Sequence, residues 1–217
     1  PTPSTKRSIT PDAVAAVLAP ALVAELEEKA VVSNLRFMPL VTRDPRQILL
    51  DGATDIAVGH FPGVMSLIDG SDERPALRHQ ILHQSGFVCV MREGHPLATE
   101  EVTLDRFCEA HHLLLSLAGR SHGTVDEVLA GFGRTRRVVL TVNQYQTAGR
   151  VLAHSDLITV LPLSLLSAVG WRERLVTRPA PVFLAPLAVE MMWLSRRERA
   201  PAHAWLRGLV ERSAKFG

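Results

Sequence analysis

The chain has 217 residues, of which 47% are hydrophobic and 21% are charged, a composition typical of a folded globular protein and not of a disordered one. Its 24 basic and 22 acidic residues give a net charge of +2 and are mixed along the sequence, which argues against a nucleic-acid-binding surface. The densest basic run, residues 134–137, is short, and we interpret it as a solvated loop.

Cysteine usage and hydropathy argue against two further classes. The two cysteines, Cys89 and Cys108, form no CxxC pair, so no disulfide scaffold is expected. The sequence has no run of about 18 apolar residues, the length that a membrane-spanning helix needs. Residues 1–7 have the character of a linker and not of a signal peptide. Together these observations predict a cytoplasmic protein.

The first strong pattern along the chain is helical. Leu18, Leu22 and Leu26 recur every four residues, which places them on one face of a helix. Asp12 is of a residue type that favours the N-cap. Pro20 is expected to kink this helix or to begin a second one.

Short apolar segments then alternate with helical ones. Strands are predicted at 35–40, 56–58, 77–83, 87–91, 113–115, 138–142, 157–161 and 187–194, and helices at 48–50, 104–107, 125–132, 146–153 and from Pro201 onward. Gly52 is a predicted C-cap, and Thr124 with Glu127 has the form of a capping box. The alternation predicts an α/β architecture with parallel strands.

The sequence offers little catalytic or metal chemistry. His79 and His83 have the i, i+4 spacing of a helical zinc pair, but their segment is predicted to be a strand, on which they lie about 13 Å apart. Neither a GxSxG elbow nor a phosphate-binding loop occurs, and the glycine-rich residues 131–136 follow a helix, the wrong context for a dinucleotide. We therefore expect no catalytic residue, metal or cofactor.

Ligands of open α/β sheets bind beyond the carboxyl ends of the strands. Four corners fit this position, at residues 10–12, 59–62, 116–124 and 143–145. Two of them open helices, whose free N–H groups favour an anion such as a carboxylate. Each corner alone could be an ordinary loop, but four corners with similar chemistry favour a ligand-binding cleft.

An ordered series of motifs resembles the LysR-type transcriptional regulators. It begins with DGATDIAVG (51–59) and FVCVMREGHPLA (87–98), and it ends with RRERAPAHAWLRGLV (196–210). RSHGTVDEVLAGFGRTRRVVLTV (120–142) and HSDLITVLP (154–162) resemble the subgroup that senses small aromatic acids such as salicylate-type compounds. The resemblance extends from about Ile9 to Val210.

The resemblance implies an α/β fold of the type 2 periplasmic-binding-protein class, with two Rossmann-like subdomains joined by two crossover strands. It implies that residues 1–84 with 187–217 form regulatory subdomain I and that residues 85–186 form subdomain II. The crossovers are expected near Gln84 and Pro186. The family's N-terminal winged helix-turn-helix domain, which binds DNA, is expected to be absent from this chain.

The same resemblance implies an effector site between the subdomains, built from the corners. The expected contacts are Thr10, Pro11, Asp12, Phe61, Pro62, Ser116, His122, Gln144, Tyr145, Pro162 and Trp193. Phe61, Tyr145 and Trp193 would form apolar walls, while His60 would face solvent. His122 matches a histidine of the aromatic-sensing subgroup, although it could instead cap a helix.

Two departures from the family pattern concern the ligand. Pro11 stands where the family often has Ser or Thr, and Asn143 to Tyr145 stand where aromatic sensors often have Pro-His-Phe. Carboxylate anchoring through Thr10 is therefore an open question, and the effector could differ from salicylate.

The family's dimers imply an interface between the helix near 13–30 of one copy and the helix near 123–132 of the other. Ala15, Leu18 and Leu22 would then contact Val125 and Leu129 in a homodimer or tetramer. The expected function is that of the effector-sensing domain of a bacterial-type regulator, which is not an enzyme, is not bound to membranes and reaches DNA only through the missing domain.

Two alternatives share this fold. A stand-alone solute-binding protein would carry an export signal, which the sequence does not display. A dehydratase-like enzyme would need an acid–base pair at the cleft, where Asp12 is the only acidic candidate among the predicted contacts.

Overall fold

The computed structural model describes residues 4–30, 33–40, 42, 44–69, 76–116 and 119–214. The chain divides into two compact units: unit 1 comprises residues 1–84 and 188–217, and unit 2 comprises residues 85–187. Each unit contains one five-stranded sheet. Within the described ranges, no helix has the length and apolar character needed to cross a membrane.

The sheet of unit 1 has the strand order β2-β1-β3-β10-β4. Its strands are β1 (Ser4–Thr10), β2 (Ser33–Pro39), β3 (Ile56–Gly59), β4 (Leu77–Ser85) and β10 (Leu187–Leu194). Strand β1 is parallel to β2 and β3, whereas β10 is antiparallel to β3. The helices are α1 (Asp12–Glu28), α2 (Arg46–Leu50), α3 (Val64–Asp69) and α7 (Pro201–Ser213).

The sheet of unit 2 has the strand order β7-β6-β8-β5-β9. Its strands are β5 (Phe87–Arg92), β6 (His111–Leu115), β7 (Arg137–Val142), β8 (Leu157–Pro162) and β9 (Leu175–Pro179). Strand β6 is parallel to β7 and β8, and β5 is antiparallel to β8 and β9. The helices are α4 (Leu104–Glu109), α5 (Thr124–Gly131) and α6 (Tyr145–Ala153).

Each unit buries its own apolar core. In unit 1, Ala57 of β3 and Met192 of β10 are fully buried in a cluster with Ile9 and Leu49. In unit 2, Phe107 and Leu129 are fully buried in a cluster with strand residues that include Met91. All four residues of β3 are buried, as expected for a short strand covered on both faces.

Three parts of the fold differ from the sequence prediction. Both sheets are mixed and not parallel, because β5, β9 and β10 run against their neighbours. Ser4 to Thr10 form a strand along β2 and not a linker, while residues 1–3 lie outside the described residues. Strand β9 and helix α3 were not predicted.

Helix α1 begins one residue earlier than predicted and continues through its proline. Pro11 is the N-cap and provides no side-chain hydrogen bond, so Asp12 is the first helical residue and not the cap. Pro20 lies inside the helix. It and Ala16 are both exposed, so water can bond the Ala16 carbonyl that would otherwise accept the missing N–H.

Candidate functional site

The predicted corners of unit 1 lie at one edge of its sheet, because β1, β2 and β3 are parallel and end there. Gly59 is the last residue of β3, and side chains of other residues pack closely against it. A Cβ atom on Gly59 would lie 3.2 Å from Leu40 Cδ2 and from Phe61 Cζ, and 3.3 Å from Pro11 Cδ. The corners at Pro11 and Phe61 therefore meet at Gly59, where a larger side chain would crowd them.

Thr10 and Asp12 flank the start of α1. Thr10 is buried, and its hydroxyl is hydrogen-bonded to the Ser8 hydroxyl at 2.7 Å. Asp12 is exposed in the first turn, and Pro11 supplies no cap. The first N–H groups of α1 therefore have no side-chain partner from the N-cap, which favours an anion at this position.

Phe61 reaches Gly59 with the tip of its ring, but most of the side chain lies in the core of unit 1. The residue is 1% exposed and belongs to the apolar core with Val64 and Leu77, so its ring stabilises unit 1. Pro62 is exposed, as is His60, which confirms that His60 faces solvent. The Nδ1–H group of His60 donates to the Ala188 carbonyl at 3.0 Å.

Trp193 lies at the opposite edge of the sheet from Gly59. Because β10 is antiparallel to β3, Trp193 is opposite Ile56 and Glu190 is opposite Gly59. The indole of Trp193 stacks under the guanidinium of Arg207, 4.8 Å from the ring centroid. Trp193 therefore lies away from the Gly59 corner, because β10 runs in a direction that the sequence did not indicate, and its place in the ligand site stays a prediction.

Glu190, which lies opposite Gly59, is a candidate site residue that the sequence analysis did not predict. The residue is 7% exposed, and its Oε2 atom has no hydrogen-bond partner in the part of the chain that the structure describes. Burial raises the pKa of its carboxyl, against the opposing effects of His79 and of the Phe61 N–H that donates to it. A lone glutamate in the apolar run 187–194 was the signal for it.

In unit 2, strands β6, β7 and β8 are parallel and end at a common edge. Ser116 directly follows β6, and its N–H donates to the Val142 carbonyl at 2.8 Å. Its hydroxyl accepts the Arg120 N–H at 2.8 Å. The corner that leads into α5 is thus fixed to β7 at its first residue.

His122 is exposed at this corner, and its Nδ1 atom is hydrogen-bonded to the Ser121 hydroxyl at 2.9 Å. Gly123, and not Thr124, is the N-cap of α5. The Gly123 N–H donates to Asp126 Oδ2 at 2.7 Å. The predicted capping box is therefore shifted by one residue, with Asp126 in the role assigned to Glu127, and His122 does not cap the helix.

A buried ion pair supports this corner. The side chain of Arg136 is 2% exposed and donates to both carboxylate oxygens of Asp126, at 2.7 and 3.0 Å. Its Nη1 donates to His112 Nδ1 at 3.4 Å, and His112 Nε2–H donates to the Phe107 carbonyl at 2.7 Å. The interpretation of residues 134–137 as a solvated run is wrong for Arg136.

The charges of this network follow from its burial. Desolvation lowers the pKa of His112 to about 4, although the bond to Phe107 acts in the opposite sense. Burial of Asp126 would raise the pKa of its carboxyl, but hydrogen bonds from Arg136 and Gly123 outweigh burial and lower it. His112 is therefore neutral and Asp126 ionised at neutral pH.

The remaining predicted contacts of unit 2 differ in accessibility. Gln144 is exposed at the N-cap of α6 and makes no side-chain capping bond. Tyr145 is 7% exposed, and burial raises the pKa of its phenol. Pro162 is buried at the end of β8. Of these three, Gln144 has the most accessible side chain.

The side chains predicted for the dimer interface lie in the cores. Leu18 and Leu22 are 0% and 2% exposed, and Leu129 is 0% exposed. Val125 is 8% exposed and belongs to the same cluster as Leu129, while Ala15 is half-buried. The helical face was predicted correctly, but a face this well buried stabilises its own unit.

The motif at 51–59 has a structural explanation at the amino end of β3. Asp55 accepts the Arg7 backbone N–H at 2.8 Å and the Arg197 guanidinium at 2.7 Å. Its own carbonyl accepts the His203 Nε2–H at 3.0 Å. Asp55 therefore ties β3 to β1 and to the segment before α7, at the edge opposite to Gly59.

Other predicted features carry no site. His79 and His83 lie on β4, as predicted, and the described residues include no group of three or more His, Cys, Asp or Glu that could hold a metal ion. A cavity of about 380 Å³ in unit 1 is lined by residues that include Leu50, Leu67 and Leu77, and it lies beside the amino-terminal end of β4 and not at the predicted corners.

Two α/β units, each with a mixed five-stranded sheet, and a chain that passes from one unit to the other and back define the type 2 periplasmic-binding-protein fold. The family model described as the LysR substrate binding domain matches residues 9–215. The chain belongs to this family, which confirms the resemblance found in the sequence.

Curated relatives include transcriptional activators. The chain is 32% identical over 164 residues to the HTH-type transcriptional activator NahR of Pseudomonas putida, a match that covers 76% of this chain and 52% of NahR. It is 31% identical over 158 residues to the activator NagR of a Ralstonia species, covering 73% of this chain and 50% of NagR. The chain thus spans about half the length of the curated relatives it matches.

Solved structures agree with this assignment. The regulatory domain of MexT, a transcriptional activator of Pseudomonas aeruginosa, superimposes with a TM-score of 0.78 at 26% identity, covering 97% of this chain and 98% of that one. HinK, a LysR family regulator of the same organism, gives a TM-score of 0.73 at 16% identity, covering 99% and 71%. The likeness to HinK supports the fold alone.

Proposed function

We propose that this chain senses a small organic acid, preferably aromatic, and transmits its binding to DNA through a separate winged helix-turn-helix domain. The observation that carries the proposal is the family match over residues 9–215. The names of NahR and NagR as transcriptional activators support it, as does their greater length. In this proposal units 1 and 2 are regulatory subdomains I and II, and the protein is a cytoplasmic regulator and not an enzyme.

The proposed contacts come from the corners of both units. Thr10, Pro11, Asp12, Pro62 and Glu190 represent unit 1, and Ser116, His122, Gln144, Tyr145 and Pro162 represent unit 2. His122 is the proposed partner of the acid, because it is exposed directly before the N-cap of α5. Glu190, with its pKa raised by burial, is the proposed partner of a hydrogen-bond donor on the effector.

Effector binding would act through the oligomer, as a shift between two arrangements of which one binds the acid better. The core positions of α1 are unavailable for this contact, but the same helix has an exposed apolar stripe. Ala16, Pro20 and Val23 are all exposed, Val23 by 51%. We propose that this stripe, and not Leu18 with Leu22, contacts the second copy.

Light scattering tests the proposed interface. V23E should leave a monomer at concentrations where the wild-type chain is a dimer, because a carboxylate would lose its hydration in the contact. L50E is the control, since Leu50 is 42% exposed on α2 of the same unit and outside the stripe. A dimer that persists in V23E, or one that L50E disrupts equally, would contradict the assignment.

A thermal-shift screen with aromatic and aliphatic acids tests the sensing function. An acid at 100 times its dissociation constant should add about 2.7 kcal/mol to the free energy of unfolding. H122A should abolish the shift, whereas H154A should retain it, because His154 is also exposed but bonds the Arg150 carbonyl within α6. A panel without any hit would refute the proposed effector class.

A further inference from the structure

A chain of buried polar groups in unit 2 ends at Gly123, the residue after His122. It runs from the Phe107 carbonyl through His112 and Arg136 to Asp126, with each hydrogen bond between 2.7 and 3.4 Å. Arg136 and His112 are 2% and 0% exposed. Burying an arginine is costly, and apolar residues often replace such pairs without loss of stability, so stability alone is a weak reason for this network.

The network ends at the peptide that follows His122. Asp126 Oδ2 accepts the Gly123 N–H at 2.7 Å while both oxygens of the same carboxylate accept from Arg136. Burial would raise the pKa of the Asp126 carboxyl, but hydrogen bonds from Arg136 and Gly123 outweigh burial and lower it. The structure therefore pairs Asp126 with Arg136, while the imidazole of His122, the residue before Gly123, is bonded to the Ser121 hydroxyl.

We propose that Arg136 is a positioning residue for effector recognition: by occupying Asp126, it leaves His122 available to the carboxylate of the effector. This inference rests on the proposed function, in which His122 contacts an acid. Without Arg136, the Asp126 carboxylate would lose the cation that pairs with it, so it would compete for the imidazole of His122 and repel an anionic ligand.

The effect should depend on the charge of the ligand, which separates positioning from a structural role. Salicylate and its neutral amide, salicylamide, have the same ring and hydroxyl group but differ in charge. R136M, which keeps an apolar stem of similar length, should weaken salicylate at least tenfold and change salicylamide less than twofold. The double variant D126N/R136M should recover salicylate affinity to within threefold of the wild type, because the uncompensated carboxylate is gone.

Arg134 offers a matched control in the same basic run. It is half-exposed and paired with Asp105, so R134M removes the same charge from the chain away from His122. Isothermal titration calorimetry on the purified chain should give affinities of R134M within twofold of the wild type for both ligands. Equal loss in R134M and R136M would overturn the inference, because the effect would then be one of net charge.

Further outcomes decide the inference. Equal weakening of both ligands by R136M, or no recovery in D126N/R136M, would overturn it while leaving the sensing function intact. If circular dichroism shows that R136M is unfolded, R136Q decides: it should weaken salicylate at least tenfold and change salicylamide less than twofold, and any other result overturns the inference. If the wild-type chain does not bind salicylate, the aromatic acid that gives the largest thermal shift and its neutral amide replace the pair, and a panel without any hit would overturn the proposed function and this inference with it.

Discussion

Gly149 of α6 provides a sharp test of packing in unit 2. A Cβ atom there would overlap the carbonyl oxygen of Gly170 and lie 2.7 Å from its carbonyl carbon and from Val169 Cγ1. Ordinary carbon contacts begin near about 3.5 Å, so the segment that contains Gly170 would have to move by about 1 Å. Overpacking costs about 1–3 kcal/mol or more, and a backbone overlap this close places G149A at the upper end of that range, above the roughly 1 kcal/mol that alanine gains over glycine in a helix.

We therefore expect G149A to lower the free energy of unfolding by about 2 kcal/mol, and the melting temperature by roughly 4–8 °C. Urea denaturation followed by tryptophan fluorescence measures it, with Trp171 beside the affected segment as a reporter. The control is G131A, since a Cβ on Gly131 at the end of α5 meets nothing within 4 Å and should stabilise by about 0.4–1 kcal/mol. Equal stability of G149A and the wild type would refute the packing argument.

Two further predictions concern buried charges. The pKa of His112 falls to about 4 from an ordinary 6.5, so between these pH values the unfolded chain binds a proton that the folded chain does not. The free energy of unfolding should therefore fall as the pH drops from 6.5 toward 4, by up to about 3 kcal/mol. H112Q should flatten this slope, and an unchanged slope would show that His112 is not its source. D55N should cost about 1.5–3 kcal/mol in urea denaturation, because the buried Asp55 carboxylate accepts from the Arg7 backbone N–H and from the Arg197 guanidinium. D44N, at the exposed pair with Arg46, should cost less than about 1 kcal/mol. Similar losses in the two variants would contradict this account.

The spacing of apolar residues and the positions of Gly and Pro were sufficient to predict the main helices and strands. Short apolar runs that end at Gly or Pro predicted β3 and β8, and Pro201 was correctly placed as the first residue of α7. Gly52 adopts a φ of 70° after α2, the conformation that its assignment as a C-cap required. Each of these signals depends only on residues that are neighbours in the chain, so it can be recognised in a single sequence.

Side-chain roles at the candidate site depend on contacts between distant segments, and here the sequence was less informative. Phe61 and Trp193 were assigned to one ligand site because both are aromatic and near strand ends. The antiparallel direction of β10 sends Trp193 to the far edge and brings Glu190 to Gly59 instead. In the sequence, Arg136 could not be distinguished from its exposed neighbours. Its ion pair is with Asp126, which lies in a different element.

The position of β10 in the sheet order determines when unit 1 can be completed during synthesis. This strand lies between β3 and β4 but comes from the last part of the chain, whereas unit 2 is one continuous segment. A ribosome therefore releases all of unit 2 before it releases the strand that joins β3 to β4, and closing such a long loop slows folding. A product truncated before Leu187 would keep unit 2 but leave β3 and β4 with open edges, the kind of surface on which chains aggregate.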